Sequence, residues 1–183
     1  MDIIRNSIEV FERLRELTFT IEIEDGTVFK MEFQPENYHH LAGFQHLTDL
    51  KKIIGNPQNK RRFYSDIASR KIPYETIYRS SKFSEVEQRL NHFFEIEEIL
   101  ATSEQKIIVN FDESILSTSI NAEYILFKRD SEELSLRNEL YRLLFIGKRS
   151  SNYFPATYII ENSKMYITNQ ETLYCKIAAE QKK

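Results

Sequence analysis

The chain is expected to fold as an α+β protein: an N-terminal helix and β-hairpin, central helices, and then a C-terminal antiparallel β-sheet. Three observations predict this. Apolar residues recur at helical spacing early in the chain and again across its middle. Strict alternation on both sides of Asp25-Gly26 marks a hairpin. From Lys106 onward, short aromatic and β-branched runs separated by turn residues replace the helical pattern. Helices followed by successive strands are not the strand–helix alternation of a parallel sheet.

The elements follow in order. Over residues 3–17, Ile4, Ile8, Phe11 and Leu14 form an apolar stripe, with Arg5, Glu9, Glu12 and Arg13 toward solvent. Phe19, Ile21 and Ile23 then alternate with Thr20, Glu22 and Glu24, and Val28–Phe33 is the return strand. Two strands alone are marginal, so the hairpin must join a larger sheet or a helix. Pro35-Glu36-Asn37 opens a helix that Gly43 interrupts. A second turn runs from about Leu47 to Ile54 and stops at Gly55-Asn56-Pro57. Asn59–Lys71 is helical by pattern, with Phe63 and Ile67 inward, and Pro73 opens a short turn to Arg79. Ser84 is placed to cap one long helix reaching Leu100. The late strands are expected at Lys106–Phe111, Tyr124–Lys128, Leu140–Ile146, Thr157–Ile160, Met165–Thr168 and Leu173–Ile177.

A length of 183 residues suits one domain, 1–183, with a basic helical insert over about 56–82. The 13 Phe and 10 Tyr can fill a core, and four Gly with four Pro argue against low complexity. A net charge of −3 excludes a histone-like polycation but not a local basic patch. Such a patch is present. Residues 51–82 hold nine Lys or Arg against two acidic residues, whereas 83–105 hold six Glu against one Arg. Either the two segments neutralise each other or they form the faces of an interface. One cysteine, Cys175, excludes an internal disulfide and a multi-cysteine zinc site, and fits a small core residue. With no leader pattern and no long apolar run, a cytoplasmic protein that does not enter a membrane is expected.

Chemistry concentrates at Tyr38–Leu50, which carries His39, His40 and His46, three of the four histidines. No metal or cofactor is expected: HExxH and CxxC are missing, and so are GxGxxG, GxxxxGK[ST] and GxSxG. Acid/base chemistry on a phosphodiester remains open. RNA carries its own nucleophile, the 2′-hydroxyl. Cleavage then needs a proton acceptor, a proton donor and cationic groups for the developing charge. His40, Lys128, Arg129, Lys148, Arg149, Ser150, Tyr153 and Thr157 supply such groups. Each also has an ordinary structural use, as a capping, edge-strand or turn residue.

The string Tyr38-His39-His40-Leu41-Ala42-Gly43-Phe44-Gln45-His46-Leu47-Thr48-Asp49-Leu50 resembles the signature of a phage-associated domain family grouped with the barnase, EndoU, colicin and RelE-like nucleases, in its fourth phage branch. Ala122–Lys128 and Tyr153–Tyr158 resemble two later strands of that family. The resemblance implies a barnase- or RelE-type fold, helices followed by a curved antiparallel sheet. It also implies metal-independent RNA cleavage, as in toxins of phages and mobile elements. The positions it matches are His40, Lys128 and Thr157.

The leading reading is a metal-independent endoribonuclease. His40, Lys128 and Thr157 are its catalytic candidates, and Lys148, Arg149, Tyr153, Lys60, Arg61 and Arg62 would bind substrate. Tyr64, Tyr74 and Tyr78 are candidates for stacking on bases. The alternative is a non-catalytic phage or mobile-element protein that binds nucleic acid, or a host or antitoxin protein, on the same fold. A homodimer through the helical faces is a third.

Overall fold

The computed structural model describes residues 2–54, 59–111, 120–129 and 140–182. Residues 55–58, where the sequence places a helix stop, and the Arg129 side chain lie outside the described set.

Helix α1 (Ile3–Arg15) starts where the Asp2 carboxylate accepts from the Ile4 and Arg5 amides, each at 3.1 Å. It buries the stripe expected of it: Ile4, Ile8, Phe11 and Leu14. Strands β1 (Leu17–Ile23) and β2 (Val28–Glu32) form the hairpin. Its loop is three residues long, one more than the two-residue Asp25-Gly26 turn that the sequence pattern suggests. Glu24–Gly26 join Ile23 to Thr27, whose carbonyl accepts from Ile23 N–H at 2.8 Å. Gly26 sits at φ +90°, a left-handed conformation that glycine adopts with little strain.

The central helices are short: α2 (Tyr38–Leu41), α3 (Lys51–Ile54), α4 (Lys60–Ala68), α5 (Tyr74–Tyr78), α6 (Ser84–Asn91) and α7 (Glu95–Ala101). The single helix expected to Leu100 is broken. The chain leaves helical geometry at His92 (φ −106°, ψ 14°), and α7 restarts in a direction that carries Glu95 to Arg142 and Tyr158. Ser84 is the first helical residue, not the cap. No helix among the described residues is long and apolar enough to cross a membrane.

The late strands are β3 (Glu104–Val109), β4 (Tyr124–Arg129), β5 (Tyr141–Arg149), β6 (Asn152–Glu161) and β7 (Glu171–Gln181). Met165–Thr168, expected as a strand, is a turn that buries Tyr166. The open C-terminal sheet of a barnase-like fold is not what forms. The seven strands close into a barrel in the order β1-β2-β6-β5-β4-β3-β7. Closure comes from β7, which pairs with β3 on one side and with β1 from Leu17↔Gln181 to Ile23↔Cys175 on the other. Local alternation marks each strand as half-buried but does not name its distant partner. Inserting β7 between β1 and β3 removes the two edges an open sheet would leave exposed.

The barrel has one thin seam. Strands β2 and β6 run parallel and meet through a single residue pair, Met31↔Tyr153. Beyond it the rest of β6 is covered by α2 and α6, and a β-bulge interrupts the β5–β6 register between Phe145 and Ile146. One face of every strand joins α1 and the central helices in a continuous core, with Ile21, Met31, Leu126, Leu144, Tyr158 and Cys175 among its members. The opposite face of β3–β6 forms a second, smaller core around Ile108, Ile125, Leu143, Phe145 and Tyr166.

Candidate functional site

Helix α2 ends at Gly43, whose φ of +80° reverses the chain. The His40 carbonyl accepts from Gly43 N–H at 3.2 Å and from the Thr157 hydroxyl of β6 at 3.4 Å. These bonds fix the early histidine segment against the late sheet at the barrel seam. The His40 ring meets the Lys60 amine at the start of α4. An ammonium can only donate, so Nε2 accepts and the ring proton lies on Nδ1. Burial pushes the His40 pKa down to about 4, with Lys60, Arg89 and His46 adding repulsion. At neutral pH the ring is uncharged.

Further cations surround this pair. The Lys60 ammonium is shifted down by burial and then by Arg149. Arg149, at the end of β5, lies 5.6 Å over the Phe154 ring. Arg89 reaches from α6 to the underside of Gly43. His46, lowered by burial and by Arg89, is opposed by Glu85. Lys60 and Arg149 form no ion pair with a carboxylate among the described residues. Arg61, Arg62 and Lys128, by contrast, are each paired.

The structure therefore brings His40, Thr157, Lys60 and Arg149 together and disperses the other candidates. The Lys128 amine bonds Glu98 of α7 at 2.6 Å. Lys148 and Arg149 are consecutive in a strand and project to opposite faces. Lys148 lies 5.1 Å over Tyr153, which packs with Phe29 and Tyr124 at the other face of the hairpin. Arg61 pairs with Glu36 and Arg62 with Asp66, both at 3.4 Å. Tyr64 and Tyr74 are only 4% and 7% exposed, too buried to stack on bases, and the Tyr78 hydroxyl donates to Asp2. His39 packs edge-on to Phe63 with its pKa pushed down to about 4, first by burial, so it is a neutral core residue.

Arg89 escaped the sequence reading. Its signal was present: with Val86, Leu90 and Phe93 it occupies the inward stripe of an otherwise acidic helix. A charge on an apolar stripe calls for a partner.

A family model described as phage-Barnase-EndoU-ColicinE5/D-RelE like nuclease4 matches residues 3–181. The chain belongs to this family. No curated protein and no solved structure matches it. The match spans the early histidine segment and the late strands alike, so the residues gathered at the seam all lie inside the family region. Family membership carries a nuclease-like description of phage origin, and the barrel is the architecture this member uses.

Proposed function

We propose that this chain cleaves RNA without a metal ion, using His40 as its proton-handling group. The observation that carries the reading is a neutral imidazole whose Nε2 faces the Lys60 amine, with Arg149 beside it and neither cation paired to a carboxylate among the described residues. An incoming phosphate supplies the missing counter-charge. It draws the Lys60 ammonium off Nε2 and raises the basicity of the ring, because two of the causes that hold His40 neutral are the charges of Lys60 and Arg89. Nε2 is then available to take the 2′-hydroxyl proton. The 2′-oxygen attacks phosphorus and the P–O5′ bond breaks. Lys60 and Arg149 stabilise the extra negative charge, and a proton from the imidazolium or from Lys60 passes to the leaving 5′-oxygen. Thr157 acts through the His40 carbonyl and holds α2 in place. The cationic surround also disfavours a bound metal ion.

The test is incubation of purified protein with end-labelled RNA in EDTA. The expected result is cleavage by wild type and loss of about a hundredfold or more in His40→Ala. Wild type that leaves the RNA intact, or a variant that cleaves it equally well, removes the reading. Wild type that binds RNA without cutting it favours the non-catalytic alternative. In the toxin form of the reading, expression slows growth and His40→Ala relieves it.

A further inference from the structure

Arg89 is half-buried and makes no hydrogen bond or ion pair among the described residues. Its Nη1 is shielded from solvent and makes no hydrogen bond among the described residues. Nε and Nη2 have no protein acceptor there either, but they are not shielded from solvent. Burial is the main influence on its pKa and lowers it, while Glu161 and Tyr166 act only through space in the other direction. A guanidinium does not escape burial by losing its proton, so the shielded Nη1 edge favours an anion. Among the described residues Glu161 is the one carboxylate that acts on it, and it does so without contact, while His40, uncharged at neutral pH, offers no counter-charge.

The room for this side chain is built into the backbone. A Cβ at Gly43 would lie 3.0 Å from Arg89 Cδ and 3.3 Å from Nη1. The glycine that ends α2 thus also lets the guanidinium lie beneath the turn that presents His40. An unpaired cation held in a fitted recess beside His40, whose ring also meets Lys60, is arranged as one arm of an anion site.

We propose that Arg89 is an anion-binding residue of the His40 site, and that its anion is a phosphate group of the bound polynucleotide. The proposal rests on the reading of the His40 cluster as a phosphate site, but not on catalysis. Its distinctive consequence is a sign. Removing an unpaired half-buried charge relieves the free protein, whereas removing a structural arginine would damage it.

The experiment is thermal unfolding in a low-anion buffer with increasing inorganic phosphate, applied to wild type, Arg89→Met and Arg89→Lys. Phosphate is expected to raise the wild-type Tm. Arg89→Met should unfold no lower than wild type without phosphate and bind phosphate about tenfold or more weakly, the order expected for one charge-assisted hydrogen bond. Arg89→Lys, which keeps the charge but loses the fork, should fall between them. A wild type indifferent to phosphate, or an Arg89→Met variant that keeps wild-type affinity, overturns the proposal. If the methionine variant does not fold, Arg89→Lys decides: weakened affinity supports the proposal and wild-type affinity overturns it. No RNA is cut in this measurement, so an inactive wild type would sink the catalytic reading and leave this result standing.

Discussion

Two histidine–arginine clusters lie on opposite faces of β6, one residue apart in sequence. Tyr158 belongs to the first, on the face that joins the main core with the helices, the inner face. There Glu95 binds Arg142, accepts from the Tyr158 hydroxyl at 3.4 Å and contacts His92 Nδ1 at 3.1 Å. Glu95 and Arg142 are only 6% and 7% exposed, and their opposite charges meet. Thr157 belongs to the second, at the seam, where His40, Lys60, Arg89 and Arg149 gather with no carboxylate paired to the three strong cations among the described residues. The lesson is one of charge balance. A neutralised cluster holds the helices to the barrel, and an unbalanced one is waiting for an anion.

That contrast can be broken most forcefully at Glu95. Glu95→Ala removes the carboxylate that meets buried Arg142 and Tyr158 and should destabilise the fold by about 3–5 kcal/mol in urea unfolding. A milder loss would mean that Glu95 is not what holds this network together. Next is Gly43→Ala. A left-handed alanine costs about 1–2 kcal/mol, and its Cβ must also displace Arg89, so phosphate affinity should fall along with stability. Unchanged phosphate affinity in a folded G43A protein would separate Arg89 from the site.

The pH response sharpens the comparison further. Below pH 6.5 the unfolded chain binds protons that His39 and His40 refuse until about pH 4 in the folded state. Stability is therefore complete above about 6.5 and declines as pH falls toward about 4. The slope is at most about 1.4 kcal/mol per pH unit for each ring, and less for His40, which water partly screens. Urea midpoints at about pH 7.5 and about pH 5 should drop less in His40→Asn than in wild type, and phosphate should reduce the drop. Equal drops would show that the seam does not hold His40 uncharged. The smallest effects lie at the periphery. Lys60→Ala and Arg149→Ala should each reduce the salt slope of RNA binding by about one phosphate contact. Lys128→Ala breaks an exposed pair with Glu98, should cost under about 1 kcal/mol, and should leave that slope unchanged.

Much of the local structure was legible in the sequence. The α1 stripe, the hairpin and five of the six late runs became elements because burial of apolar side chains sets their period. Closure was not legible, since nothing in Leu173–Ile177 says that both its edges will be taken. Nor was the helix break at His92, which serves the distant Arg142. Within the site, the string around His40 stood out, and Thr157 and Arg149 were named with it. Lys60 was one cation in a basic run, and only the fold separates it from Arg61 and Arg62, whose charges neighbouring carboxylates meet. Arg89 was visible as a charge on an apolar stripe, but its purpose depends on a glycine far away in sequence.

The most direct measurement compares His40→Ala with Glu95→Gln on one labelled RNA in EDTA, with the folded fraction of each protein determined alongside. His40→Ala should stay folded and lose cleavage, whereas Glu95→Gln should lose stability and keep wild-type cleavage per folded molecule. The reverse outcome, with activity lost at Glu95 and retained at His40, would place the chemistry on the inner face of β6 and contradict the assignment made here.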